Sequence, residues 1–363
     1  MAGALIAPAL PKIAEQFTTY PNYELLTKLL LSLPALSVAV SSQLLGWIID
    51  KTGRKKLLIF SLILFAISGT SAYWMNNLYY LLISRAVLGV AIAGLTTTSI
   101  TLIGDYYSGA EREKFIGIQS SFMSLGGIFF IPLGGLLASY SWRNPFLMYV
   151  ASLLILPFIY KVIYEPKVEK INVNNPKKID EPINKIVIAF ILFIAFTSMV
   201  LFYMLPTQIP FLLSSLGEKD SIMQGLAIAT GTTTGALASF MYQKIKNKLS
   251  FSTIYAVAFA MQVIGYAVIG LATSYAVVIV GVMVAGFAIG LMMPNANLWI
   301  VEVSPPSHRG RMIGAVSATG FLGLFLSPIF VDMFNASLSQ IFLYAAFAAS
   351  ILTVVCIVIN KKI

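Results

Sequence analysis

Three kinds of side chain here could do chemistry, and none suits the making of covalent bonds. Arg85 is the charge placed deepest within any long apolar run of the sequence. A dense block, Asp50-Lys51-Thr52-Gly53-Arg54-Lys55-Lys56, separates two such runs. The third kind is the thiol and imidazole pool, which consists of Cys356 and His308. One cysteine excludes an internal disulfide or a CxxC redox pair, and one histidine excludes a multi-histidine metal site. No nucleophile-base pair presents itself, which argues against an enzyme, and the GxxxxGK[ST] loop of a nucleotide-driven pump is absent. What remains is the work of charges in an apolar medium. A guanidinium in hydrocarbon costs about 3 kcal/mol on insertion scales, so Arg85 should face a cavity or a polar partner.

Composition dictates the elements that must hold these charges. Of 363 residues, 58% are apolar and 10% charged, where a soluble domain carries roughly 25% charge, so a soluble protein is excluded. A span needs about 20 apolar residues and a turn brings the repeat to about 30, so the length accommodates about twelve membrane helices. The runs between charge clusters fall near 1–17, 24–50, 56–75, 78–105, 113–139, 144–163, 185–213, 221–243, 251–272, 275–302, 310–334 and 338–360. Irregular backbone of this length would leave amides unpaired in hydrocarbon, so the runs must be helices. The expected class is an all-α membrane protein. Its first run is short: eleven residues, Met1 to Pro11, precede Lys12. No basic region precedes them, so this is not a signal peptide, and the expectation is a helix 1 truncated in this sequence.

The net charge of +10 would suggest nucleic acid in a soluble chain; here it reports orientation instead. Alternate loops and the C-terminus collect nineteen basic residues, from Lys51 through Lys362, whereas the other face has Lys12, Lys28, Arg143 and Lys219. That bias places the first set, and with an even number of spans both termini, on the cytoplasmic side of a cell membrane. The only long polar stretch, 164–184, reads as a cytoplasmic linker between a six-helix bundle at 1–163 and another at 185–363. An offset of 197 aligns Asp105 with Glu302, Arg112 with Arg309, Lys114 with Arg311 and Gly117 with Gly314. The halves read as repeats, a common construction for secondary transporters.

The segment from Gly46 to Lys56 has the form GxxxDKxGRKK and resembles the motif between helices 2 and 3 of the major facilitator superfamily. Gly46 would let two backbones approach closely, and Gly53 permits the tight turn between short-linked spans. The resemblance implies that Asp50 faces the start of helix 11, where a carboxylate complements the helix dipole. It further implies that Arg54 pairs with Asp105, so that Gly46, Asp50, Lys51, Gly53, Arg54, Lys55 and Asp105 form a gating latch. The bland alternative is a set of loop charges that merely fixes topology. Arg85 and the glycines after it resemble helix 4 of proton-coupled members, which implies a role in proton coupling; an arginine satisfied by backbone carbonyls is the competing role. Gly127, Pro132, Gly134 and Gly135 resemble in part the helix 5 motif of the antiporter branch, with Ile131 where that motif has glycine; generic packing glycines are the alternative.

Helices 4, 7 and 10 with neighbours from 5 and 8 line the cavity in that family. Thr97, Gln119, Tyr203, Gln208, Thr233, Met293 and Asn295 are the candidates for it here, each also open to a plain packing role. An apolar, methionine-bearing pocket with few charges suits a lipophilic or amphipathic solute. Of fourteen acidic residues none is mid-span, so the coupling acid should be Asp332, Asp105 or a residue missing from helix 1; failing these, protons do not drive the carrier. The expected protein is a secondary transporter, a drug or metabolite exporter exchanging solute for protons. The alternatives are a proton-linked sugar or metabolite importer and a transporter-like sensor without flux. It needs no cofactor or metal, works as a monomer in the lipid bilayer, and binds a small-molecule substrate and protons, not nucleic acid.

Overall fold

A computed structural model describes residues 4–166, 185–304 and 309–360, and all regular structure among them is helical. After a 3-10 stretch, Ala4–Ala9, come α1 (Leu10–Gln16), α2 (Tyr23–Thr52), α3 (Arg54–Ser71), α4 (Leu78–Tyr106) and α5 (Gly109–Tyr140). A second 3-10 stretch, Asn144–Ile155, leads into α6 (Leu156–Val162). The later helices are α7 (Lys185–Ser215), α8 (Ser221–Lys246), α9 (Phe251–Gly270), α10 (Tyr275–Val303), α11 (Arg309–Asp332) and α12 (Leu338–Asn360). Among the described residues, nine helical stretches are long and apolar enough to cross a membrane, and α5 adds the shorter segment Leu125–Tyr140. The chain is an all-α, multi-pass membrane protein.

Local sequence explains where the helices begin. Asn77 accepts from the amides of Tyr79 (2.9 Å) and Tyr80 (3.4 Å), Asp220 from Ile222 (2.9 Å) and Ser250 from Thr253 (3.2 Å), so α4, α8 and α9 each start on a side-chain cap. Pro34, Pro132, Pro206, Pro210, Pro294 and Pro328 lie inside helices without ending them, as neighbouring helices in a membrane allow. The largest departure from the expected limits is at α5. It begins at Gly109, four residues early, because Glu111, Arg112 and Lys114 prolong the helix as an exposed turn.

The first six helices pack chiefly on one another: α4 against α2 and α3, α3 against Asn144–Ile155, and α5 against Ala4–Ala9. The last six do likewise, with α10 against α8 and α9, α9 against α12, and α7 against α11. Two long seams join these lobes, α2 with α11 and α5 with α8, and α1 touches α7. One close helix pair is α8 with α10. Gly231 and Gly235 on one side face Gly286 and Gly290 on the other, and a methyl at Gly286 or Gly290 would run into the carbonyl of Gly231 or Gly235. Two Gly-x-x-x-Gly spacings therefore bring backbones together where lipid supplies no hydrophobic drive.

One expectation needs correction. Gly46 does not mediate a close approach, since nothing lies within 4 Å of the place a Cβ would take. Lys28, within the expected run 24–50, belongs to the second turn of α2 and is 6% exposed. The glycine contrast is testable by size exclusion and thermal unfolding in detergent. Gly290→Val should overpack the α8–α10 contact at a cost of about 1–3 kcal/mol and lower both folded yield and unfolding temperature. Gly46→Ala should leave both unchanged or slightly raised.

Candidate functional site

The charged block folds into a compact cap at the basic face. Gly53 adopts φ +91°, in the region that favours glycine, and ends α2 immediately before α3 begins. A Cβ there would also lie 2.9 Å from a carboxylate oxygen of Glu165. That carboxylate has come from beyond α6 to accept the first amides of α3, from Arg54 at 2.6 Å and Lys55 at 2.9 Å. An anion at a helix N-terminus satisfies orphan donors and complements the dipole. The Arg54 Nε donates to Asp105 at the end of α4 at 3.0 Å, with side chains 11% and 24% exposed. The ammonium of Lys55 donates to the carbonyl of Tyr160 (2.7 Å), and Tyr106 stacks on Tyr164 (4.6 Å between ring centres) while donating to its carbonyl. The ends of α3, α4 and α6 are thus welded together. Lys51 is directed elsewhere, its ammonium 3.6 Å from the centre of the Trp47 ring.

Arg85 lies inside the first lobe, 1% exposed, and not on a cavity. Its Nη2 donates to the carbonyls of Gly69 (2.9 Å) and Ser68 (3.3 Å), and its Nη1 to the hydroxyl of Tyr149 (3.3 Å). Ser68 and Gly69 belong to the last turn of α3, where the helix leaves backbone acceptors over; the carbonyl of Ser68 also accepts from the hydroxyl of Ser71 at 2.9 Å. The guanidinium therefore acts as a buried C-cap, lying against the rings of Phe146 and Tyr149 at 5.0 and 5.2 Å. A charge so fully engaged serves packing. The geometry favours the structural role over the proton-carrying one.

The proposed cavity residues scatter. Tyr203 is buried and donates across the lobe boundary to the carbonyl of Leu31 (2.7 Å). Asn295, fully buried, donates to the carbonyl of Phe251 (3.0 Å) and accepts from Tyr242 (3.0 Å), which pins α8, α9 and α10 together. Gln208 is fully buried too, with neither end of its amide hydrogen-bonded. Thr233 bonds its own helix through the carbonyl of Ala229 (2.8 Å). Thr97 and Gln119 are half-buried and Met293 is exposed. The polar atoms of Tyr203 and Asn295 thus have partners within the protein. On α5, Gly127 is buried, and methyls at Gly134 and Gly135 would strike the carbonyls of Leu5 and Ser221. Gly225 of α8 comes back against Ile131 and Pro132. The helix 5 motif thus takes part in one of the two seams, through Gly135 and the Ile131–Pro132 turn.

The profile of the major facilitator superfamily matches residues 1–328 of this sequence. The chain belongs to the major facilitator superfamily. Within that superfamily it is similar to the quinolone resistance protein NorA of Staphylococcus aureus, at 34% identity over 142 residues, covering 38% of this chain. The match is 30% over 160 residues to the class H tetracycline resistance protein of Pasteurella multocida, covering 43% of this chain and 40% of that one. The chain spans 36% of the length of the NorA relative it matches. Solved structures extend the likeness to the whole fold. A D-xylose-proton symporter superposes with a TM-score of 0.77 at 17% identity, covering 97% of this chain and 93% of that one. A bacterial homolog of the human lysosomal transporter Spinster gives 0.73 at 17%, covering 99% and 92%.

In this member of the major facilitator superfamily the side chain of Asp50 and residues 305–308 with the side chain of Arg309 lie outside the described residues, and so does the expected contact between them. Residues 167–184 of the linker lie outside them as well. Glu165 and Lys28 were not legible as partners of distant groups, since a lone acid before Pro166 and a lone lysine near a helix start carry no spacing signal.

The reading of Arg85 as a cap is testable. Arg85→Met should remove the guanidinium donors from the Gly69 and Ser68 carbonyls and from the Tyr149 hydroxyl, at a cost of about 3 kcal/mol. The unfolding temperature should fall, and Arg85→Lys, with a single point donor, should recover only part of it. Unaltered stability with lost gradient-dependent transport would instead restore the proton-carrying role.

Proposed function

We propose that this chain is a secondary transporter working by alternating access, and that it exports lipophilic or amphipathic solutes in exchange for protons. The observation that carries the reading is the contrast between lobe and seam. Each lobe is locked internally by buried caps and close helix contacts, whereas between the lobes small residues meet at the α5–α8 seam, Gly135 against Ser221, beside a shared apolar cluster and the single bond of Tyr203 to Leu31. Bodies joined in this way rock without internal rearrangement. Export is favoured over import because the sequence likeness runs to two drug-resistance proteins, while the likeness to a sugar symporter is one of fold.

In this reading the basic face is cytoplasmic, both termini lie there, and the protein sits in the cell membrane as a monomer. Lobes 1–163 and 185–363 move about the seams, with 164–184 as their tether. Asp50 holds the cytoplasmic mouth shut against the first turn of α11 when the cavity opens outward, and the Arg54–Asp105 pair with Gly53, Lys51 and Lys55 keeps the first lobe's end rigid behind it. Thr97, Gln119, Thr233, Gln208 and Met293 remain the candidates for contact with solute. Coupling acid candidates are Asp105 and Asp332.

Everted vesicles test this with ethidium as the probe. An imposed acid-inside gradient should drive dye accumulation that a protonophore abolishes, and Asp50→Asn should slow it at unchanged membrane content. Accumulation no greater than in vesicles lacking the protein would replace the transporter by a sensor. Sugar uptake into right-side-out vesicles driven by an acid exterior would replace export by import.

A further inference from the structure

Lys28 is a charge for which the cycle above has no use. It lies on α2 one turn after Glu24, 6% exposed, with its ammonium 5.1 Å from the centre of the Phe211 ring of α7. It feels the carboxylate of Glu24 and, across the lobe boundary, that of Asp332 at the end of α11. No hydrogen bond or ion pair to it forms among the described residues. Glu24 and Asp332, with Asn22, Tyr23 and Leu25, line an open cavity of about 300 Å³ at this end of the molecule. One turn deeper the interface is dry. Ser32 is fully buried with an unpartnered hydroxyl, and Tyr203 bonds the carbonyl of Leu31. The ammonium thus sits between a wet vestibule and a sealed seam.

An aromatic face returns only part of the hydration an ammonium loses, and carboxylates beyond hydrogen-bonding distance beside a wet cavity return little more. A buried ion that lacks close partners is a net cost to the state that buries it. That cost is relieved when the lobes part and vestibule water reaches the side chain. We propose that Lys28 is an electrostatic spring in the outer mouth, opposing closure, with Asp332 of the other lobe setting its strength. Glu24 shares its helix and moves with it, so the cross-lobe part of the balance belongs to Asp332. The proposal rests on the alternating-access reading.

The two substitutions act in opposite directions, which a merely structural role would not produce. Ser32→Cys, in a chain carrying Cys356→Ser, reports opening through its rate of reaction with a membrane-impermeant maleimide added outside right-side-out vesicles. Lys28→Met should slow labelling by about tenfold, equivalent to about 1.4 kcal/mol, because the closed state no longer buries a charge. Asp332→Asn should accelerate it, since the ammonium then lacks its counter-charge. The double variant should follow Lys28→Met, and Lys28→Arg should restore the faster rate. Equal or parallel shifts for Lys28→Met and Asp332→Asn overturn the spring while leaving alternating access intact. No outside labelling of the reporter in the otherwise unchanged chain overturns both, since the outer mouth then does not open.

Discussion

Hydrocarbon offers no hydrogen-bond partner, and every unusual feature of this structure is a response to that constraint. Helices satisfy the amides within them but leave four carbonyls bare at each C-terminus and four amides at each N-terminus. The end of α3 shows the response at its most costly. A whole arginine, Arg85, is drawn into the first lobe to serve the carbonyls of Ser68 and Gly69. A charge that looks functional in a hydropathy profile turns out to be the donor that a helix end requires. At the other end of α3 the need is the opposite, and Glu165 meets it by accepting two amides from about 110 residues away in sequence.

These two caps make α3 the spine of the first lobe. Arg85 ties its one end to α4 and to Tyr149 of the 3-10 stretch, and Glu165 ties its other end to the segment leaving α6. The Arg54–Asp105 pair adds α4 to the same cap. Exposed ion pairs contribute up to about 1 kcal/mol, but a pair with side chains 11% and 24% exposed, next to a capped helix start, loses less to solvent screening. The second lobe lacks the matching block, having Gln243, Lys244, Asn247 and Lys248 at the corresponding place. It relies on backbone contact instead, through the paired glycines of α8 and α10 and the Tyr242–Asn295–Phe251 chain of bonds. One lobe is held by charge at its rim and the other by packing at its middle.

That division explains what the sequence revealed and what it withheld. Spans were legible because about 20 apolar residues between charges have one solution in a bilayer, so helix limits shifted by four residues at most. The Gly53–Arg54–Asp105 corner was legible through a dense motif. Pairings across long separations were not. Nothing in a single sequence says that Glu165 returns to α3, that the glycines at 231 and 235 meet those at 286 and 290, or that Tyr203 reaches Leu31. The partners of Asn295 and Tyr203 were hidden for the same reason: polarity in a span marks a group that needs a partner, and here that partner is another helix. The surroundings of Lys28 were not legible either, because its neighbours Phe211 and Asp332 come from the other lobe.

The seams follow from the same constraint applied to motion. Part of the buried apolar core runs across the boundary, with Ile6, Leu10, Leu30 and Leu31 of the first lobe and Leu205, Ile209 and Leu213 of the second in one cluster, so on the proposed cycle each opening must expose part of it. Small residues in the α5–α8 seam let the two backbones meet with little side-chain interlock. A hydrogen bond such as Tyr203 to Leu31 adds about 1 kcal/mol, on the scale of single bonds within proteins. Shifting a two-state balance from one extreme to the other takes about 5.5 kcal/mol of differential interaction. A handful of interactions of this size, together with a buried charge that resists closure, puts the switch within reach of one solute and one ion. Stronger seams would make a more stable protein that could not turn over.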